Sequence, residues 1–160
     1  MTNFDWIALP SLTTDRLVLR SLRFTDKSDL FKIYGDPEVM RFASDPAFPD
    51  ESLIDQMLES VNQLFATRES LEWGIVLTQE NRLVGTCGLY GFEQSEAEIG
   101  CLLARADWGK GLMTEALKRI IQFGATELGL QTIVAEIDPA NQRSLALFDR
   151  LGFIDGRLSL

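Results

Sequence analysis

Three apolar runs in close succession, Trp73 to Thr78, Leu83 to Tyr90 and Ala97 to Leu103, constrain the fold of this chain more than any other feature. Each has the length of a strand, and the polar links Gln79 to Arg82 and Gly91 to Glu96 join them into an antiparallel meander. A strand at Arg16 to Ser21 precedes them, with Leu17 and Leu19 on one face and Val18 on the other. Between it and the meander lie two helical patterns. The first has Thr25 as its N-cap and Leu30, Ile33 and Tyr34 on its apolar side, and it stops at Gly35 and Pro37. The second begins at Asp50, after a Pro46 to Pro49 loop, and carries Leu53, Ile54, Met57, Leu58, Val61 and Leu64 at helical spacing. After the meander, Leu112 to Leu128 is the clearest helix, with Met113, Ala116, Leu117, Ile120, Ile121 and Gly124 on one face and Gly129 placed to end it. Thr132 to Ile137 is a β-branched strand, Asn141 to Leu151 a shorter helix closed by Gly152, and the final FIDGRLSL has room for one more strand. The order predicts an α/β domain with a mostly antiparallel sheet.

With 160 residues and 46% hydrophobic content, residues 1–160 suffice for one buried core and are too few for two ordinary domains. Histidine is absent, and Cys87 and Cys101 each sit in an apolar run without a second Cys nearby, so no metal site, Cys-His pair or Ser-His-Asp triad is expected. Two reduced, buried thiols fit a cytoplasmic protein. No apolar stretch approaches membrane-spanning length, and the start MTNFDWIALP has no basic region followed by an apolar core. A formal charge of −9, from 15 Lys and Arg against 24 Asp and Glu, opposes nucleic-acid binding and suits a cationic acceptor such as an amine.

Between the third meander strand and the long helix lies Trp108-Gly109-Lys110-Gly111-Leu112-Met113. A glycine-rich turn feeding a helix N-terminus gathers several backbone N–H groups and the positive end of the helix dipole at one point, which suits a pyrophosphate. A tight turn with glycine at positive φ is the plainer alternative. Neither the GxxxxGK[ST] loop nor GxGxxG is present. Asn141-x-x-Ser144 is a second short motif, and Asn is also a favoured N-cap.

WGKGLMTEAL resembles the acetyl-CoA pyrophosphate loop of the GNAT superfamily, in particular its RimJ/RimL-like branch of ribosomal-protein N-terminal acetyltransferases. Thr14 to Ala43, Trp73 to Phe92, Ala97 to Leu103 and Asn141 to Phe153 resemble further segments of that branch in the same order. The resemblance implies a GNAT fold: a mixed, mostly antiparallel sheet splayed open in the middle and flanked by helices, with acetyl-CoA in the gap. It implies that Gly109, Lys110, Gly111, Leu112, Met113 and Thr114 surround the pyrophosphate, that the backbone of Cys101, Leu102 and Leu103 pairs with the pantetheine arm, and that Asn141 contacts that arm. Trp108 and Met113 depart from the usual loop, where Gln or Arg comes first and Gly or Ala last; the main-chain donors survive both changes. Other branches place a Tyr where this chain has Phe148, so Ser144 is the expected proton donor to the leaving thiolate.

The implied activity is acetyl transfer from acetyl-CoA to a primary amine by direct attack, without metal. A protein N-terminal α-amine is one acceptor; an aminoglycoside, polyamine or amino acid is another, and a non-catalytic CoA-binding module is the alternative from a different class. Glu98 and Glu72 are the candidate general bases, with a solvated surface charge as the plain reading of each. GNAT domains commonly finish with two strands, but only seven residues follow Phe153, so the last strand is expected to be shortened or missing. Either Phe153 to Leu160 takes the final strand's place beside Thr132 to Ile137, or a second copy covers that edge in a homodimer.

Overall fold

The computed structural model describes residues 4–160. Seven strands form one sheet in sequence order: β1 (Leu12–Thr13), β2 (Leu17–Arg20), β3 (Ser70–Leu77), β4 (Arg82–Glu93), β5 (Glu96–Leu103), β6 (Thr132–Val134) and β7 (Arg157–Ser159). Every neighbouring pair is antiparallel except β5 and β6. Helices α1 (Lys27–Tyr34) and α2 (Ser52–Ala66) lie between β2 and β3; α3 (Leu112–Thr126) joins β5 to β6, and α4 (Gln142–Arg150) joins β6 to β7.

Two cores, one on each face, hold the sheet. Leu71, Trp73, Ile75, Cys87, Leu89, Ala97 and Ile99 point one way, onto Leu112, Ala116, Leu117, Ile120 and Phe123 of α3. Val76 and Leu83 point the other way, onto Leu30, Ile33 and Tyr34 of α1 and Ile54 of α2. The sheet therefore has an α3 face and an α1/α2 face, and strand alternation assigns the β3–β5 side chains to one or the other except at the bulges beside Val76 and beyond Tyr90.

Several expectations shift by a few residues for identifiable reasons. Thr25 is not the cap of α1: residues Phe24–Asp26 form a 3₁₀ turn, and the Asp26 carboxylate accepts from the Arg23 N–H at 2.7 Å while chelating the Arg20 guanidinium at 2.8 and 2.9 Å. The sixth strand ends at Val134 rather than Ile137, because the chain there leaves β5. Glu72 lies third in a β3 that starts at Ser70, so it is within the sheet rather than at its end. Cys87 and Cys101, separate in sequence, are cross-strand partners. Both are free thiols. FIDGRLSL takes the first of its two expected courses: β7 pairs with β6 through Thr132–Ser159, Ile133–Leu158 and Val134–Arg157, and covers that edge with the chain's own residues.

Candidate active site

Pairing between β5 and β6 covers only Glu96–Thr132, Ala97–Ile133 and Glu98–Val134. Beyond that point β5 runs on to Leu103 beside β4 alone, while the chain after Val134 turns toward the last strand, Ala135 N–H donating to the Gly156 carbonyl at 2.8 Å. The sheet is therefore forked, and Glu98 is the last β5 residue flanked by partners on both sides. Past it, one edge of β5 has backbone donors and acceptors with no strand to receive them.

A cavity of about 810 Å³ opens at this fork, lined by Cys101, Leu102 and Leu103 of β5, by Gly109, Gly111, Leu112, Met113 and Thr114, and by Asn141 and Ser144 at the start of α4. Ten of the thirteen residues proposed from sequence thus meet at one place; Lys110, Glu98 and Glu72 are the ones that do not line it. The Lys110 ammonium turns away, 3.4 Å from the carboxylate of Asp107.

The glycine turn is built to leave donors unused. Gly109 and Gly111 adopt φ of 79° and 75°, and a side chain on Gly109 would meet open space. Gly111 is the N-cap of α3 and brings no side chain to cap it. Among the described residues, no backbone carbonyl accepts from the N–H groups of Gly109 to Thr114. Six N–H groups are thus left unpaired at a helix N-terminus, five of them on residues that line the cavity, which costs free energy unless an anion or water receives them.

Side chains from distant parts of the sequence, together with Asp107 and Trp108 just before it, clamp this turn. Arg16, at the start of β2, donates from Nη1 to the Lys110 carbonyl at 2.9 Å and from Nε to Glu115 at 2.8 Å. The Arg16 N–H and the Thr14 hydroxyl also donate to Glu115. Asp107, fully buried, takes both Nη atoms of Arg82 at 3.0 Å, and that bidentate bond holds its carboxyl below the usual range. The Trp108 indole N–H donates to the Leu103 carbonyl at 2.8 Å, and the guanidinium of Arg143 lies 3.0 Å from the centre of its ring. Arg143 and Arg150, seven apart on α4, both line the cavity. Neither takes part in an ion pair among the described residues. They give a cationic wall to the site of an otherwise acidic chain.

Asn141 fulfils the capping role, its side-chain oxygen accepting the Ser144 N–H at 3.2 Å. That leaves the Asn141 amide NH₂ and the Ser144 hydroxyl toward the cavity. Phe148 is buried against Phe153 and has no hydroxyl to offer. Burial pushes the Cys101 thiol up to about 12, so it remains a protonated thiol beside the gap.

The carboxylates lie on the α1/α2 face. Burial raises the pKa of Glu72, against the hydrogen bond it accepts from the Tyr34 hydroxyl at 3.4 Å; that hydroxyl also lies 3.0 Å from the Thr86 hydroxyl. Glu98 sits at the vertex of the fork, opposite Tyr90 on β4 and Val134 on β6. The two bases proposed together are therefore separated by the width of β4, and Glu98 is the one on the strand that borders the cavity.

The chain matches the model of the acetyltransferase (GNAT) domain over residues 16–154. The chain belongs to the GNAT acetyltransferase family. A curated relative, the uncharacterized N-acetyltransferase p20 of Bacillus licheniformis, is 33% identical over 147 residues, covering 91% of this chain and 83% of the relative. Among solved structures, spermidine N-acetyltransferase from Vibrio cholerae in complex with CoA and spermine superposes with a TM-score of 0.76 at 20% identity, covering 88% of this GNAT domain and 82% of that chain. Ribosomal-protein-S5-alanine acetyltransferase from Vibrio fischeri superposes with a TM-score of 0.72 at 20% identity, over 91% and 83%. As a GNAT domain the chain is an N-acetyltransferase, and its forked sheet is the fold of that family. No helix of the described residues is long and apolar enough to cross a membrane, and no cluster of metal-ligating side chains occurs among them.

Proposed function

We propose that this GNAT domain transfers the acetyl group of acetyl-CoA directly to a primary amine in a ternary complex. The observation that carries the reading is the set of six unpaired N–H groups from Gly109 to Thr114 at the mouth of the fork. They form a cradle for the two negative charges of a pyrophosphate, with the Arg143 and Arg150 wall beside it for further phosphate. The unpaired edge of β5 at Cys101 to Leu103 receives the amide groups of the pantetheine arm in the manner of an added strand, and the Asn141 amide meets the same arm. That arm then delivers the thioester to the vertex, between Ser144 on one side and Glu98 on the other.

In this geometry the amine nitrogen attacks the thioester carbon, and the tetrahedral intermediate collapses by breaking the carbon–sulfur bond. Glu98, directly or through one water, takes a proton from the ammonium group and so frees the lone pair that attacks; the nitrogen's second proton passes to solvent as the intermediate collapses, and Ser144 gives a proton to the departing thiolate and regains one from solvent. Glu72, farther from β5, is the second candidate base, with a carboxyl that burial disposes to hold its proton. Holding amine and thioester together supplies much of the rate without further chemistry. The likeness to a structure holding spermine and to one named for a ribosomal-protein alanine supports a primary amine as the acceptor, small or at a protein N-terminus. Coenzyme A release, followed with a panel of amines and alanine-led peptides, tests the reading. Amine-dependent release supports it, and binding of acetyl-CoA without release under any acceptor rejects it in favour of a ligand-holding module.

A further inference from the structure

On the α1/α2 face a second cavity, of about 550 Å³, lies under the end of α2, and Leu64, Arg68, Glu72, Tyr90 and Phe92 are among its lining. The register explains how it is connected to the fork. Glu72 on β3 faces Gly88 on β4, which faces Gly100 on β5. Across this row, neither β4 nor β5 supplies a side chain. The next row carries Ser70, Tyr90 and Glu98. Tyr90 and Gly100 are diagonal neighbours on adjacent strands, within reach of an aromatic ring.

Tyr90 uses that reach. A side chain at Gly100 would meet the Tyr90 ring at 3.1 Å and its hydroxyl at 3.3 Å, so the ring lies over the position that glycine leaves empty. One side chain therefore lines the cavity under α2 and also extends to the strand that bounds the cofactor gap. Glu98 and Glu136 lie close enough that their charge adds to burial in raising the phenol's pKa, so the hydroxyl stays protonated; Glu69 and Glu72 also line the cavity, against the one cation Arg68, so carboxyl groups outnumber cations around the ring. An aromatic face among carboxylates is the chemistry that receives an ammonium group.

We propose that the acceptor enters through the cavity under α2 and that Tyr90 binds it there, its ring bridging that cavity to Glu98 at the vertex of the fork. The ligand class is a primary ammonium compound or peptide α-ammonium. Its cation lies against the ring, and its nitrogen is presented to the thioester from the face opposite α3. Gly100 leaves the ring its place, and a methyl group there would have to push the ring aside. The inference rests on the amine-acetyltransferase reading, and it assigns an acceptor-binding role where that reading has only the bases.

The test is a double-mutant cycle on the full chain, with spermidine and an alanine-led peptide as probes. Tyr90→Ala is expected to raise the acceptor KM about tenfold while acetyl-CoA affinity by calorimetry changes less than about twofold. Tyr90→Phe, which keeps the ring, is expected to restore most of the loss. Gly100→Ala, which shifts the ring, is expected to raise the acceptor KM in the same direction by a smaller factor, and the double variant to be no worse than Tyr90→Ala alone, because both act on the same contact. Thermal unfolding of each variant separates misfolding from loss of the acceptor site. An unchanged acceptor KM in a folded Tyr90→Ala overturns the proposal, as do additive effects in the cycle or a Gly100→Ala defect confined to acetyl-CoA binding. A wild-type chain that releases coenzyme A with neither probe, yet does so with a neutral or anionic amine, rejects the ammonium site alone; absence of release with every acceptor rejects both readings.

Discussion

Gly111 carries two requirements that a side chain cannot meet together. Its φ of 75° lies in the left-handed region, and as N-cap it exposes the donors of the first turn of α3. Gly111→Asp adds backbone strain of about 1 kcal/mol and a negative charge at the turn proposed to cradle the pyrophosphate. Acetyl-CoA affinity measured by calorimetry is expected to fall by more than about tenfold, and an unchanged affinity would remove the pyrophosphate from this turn. Ser144 differs, since its hydroxyl forms no hydrogen bond within the described residues and the proposed mechanism gives it one task, protonating the departing sulfur. Ser144→Ala is expected to lower kcat with little change in cofactor affinity, whereas Asn141→Ala weakens binding and removes a cap worth about 1 kcal/mol from α4. Full turnover by Ser144→Ala would assign the proton to solvent. The placement of these residues is legible in the sequence because it is local: a glycine turn before a helix, and a cap three residues from its partner. Arg16, Glu115 and Tyr90 could not, because Arg16 meets Glu115 across 99 positions and Tyr90 is defined by what Gly100 lacks.

At the scale of elements, the meander and the four helices follow from periodicity, while their ends are decided by tertiary contacts. The short β1 has no pattern of its own and exists because Leu12 and Thr13 pair with Leu19 and Val18. The end of β6 at Val134 is the fork itself, which only the partner strands define. The link from β5 to α3 depends likewise on a long-range contact, the bidentate pair of Asp107 with Arg82. Because that pair depresses the Asp107 pKa in the folded state, it contributes stability that is present above the unfolded carboxyl value of about 3.9 and is lost as pH falls below it. Asp107→Asn is expected to lower stability at pH 7 by about 1–3 kcal/mol and to flatten the fall in unfolding midpoint between about pH 5 and 3. Since Asp107 also holds Lys110, acetyl-CoA affinity should drop in the same variant. An acid limb of unchanged steepness would place the titrating groups elsewhere, with Asp26 and its Arg20 partner next in line.

The whole molecule is a sheet forked at β5 and closed again at its far edge, and the closure is as specific as the fork. Ile133 on β6 is fully buried, and its backbone faces β7 through Leu158. The Arg157 guanidinium also meets the Glu96 carboxylate, tying β7 back across β6 to the start of β5. The turn that brings β7 into place depends on Gly156. Its φ is 74°, its carbonyl accepts from Ala135, and a side chain there would lie 2.7 Å from the Ala135 carbonyl oxygen. Neither backbone can yield without breaking the bond that docks the strand. Gly156→Ala is therefore expected to cost about 1–3 kcal/mol and to lift β7 from β6. An uncovered β6 presents unpaired N–H and C=O groups beside apolar side chains, which is a template for another chain's strand. Light scattering at micromolar concentration should show a higher mass for Gly156→Ala than for the wild-type chain, with a lower unfolding midpoint. If the variant keeps both the mass and the midpoint of the wild type, β7 is not what protects that edge. The fork, two strands away, then serves as the internal control: acetyl-CoA affinity should persist in Gly156→Ala, because β5, the glycine turn and α3 are held by Arg16, Arg82 and the core rather than by the last strand.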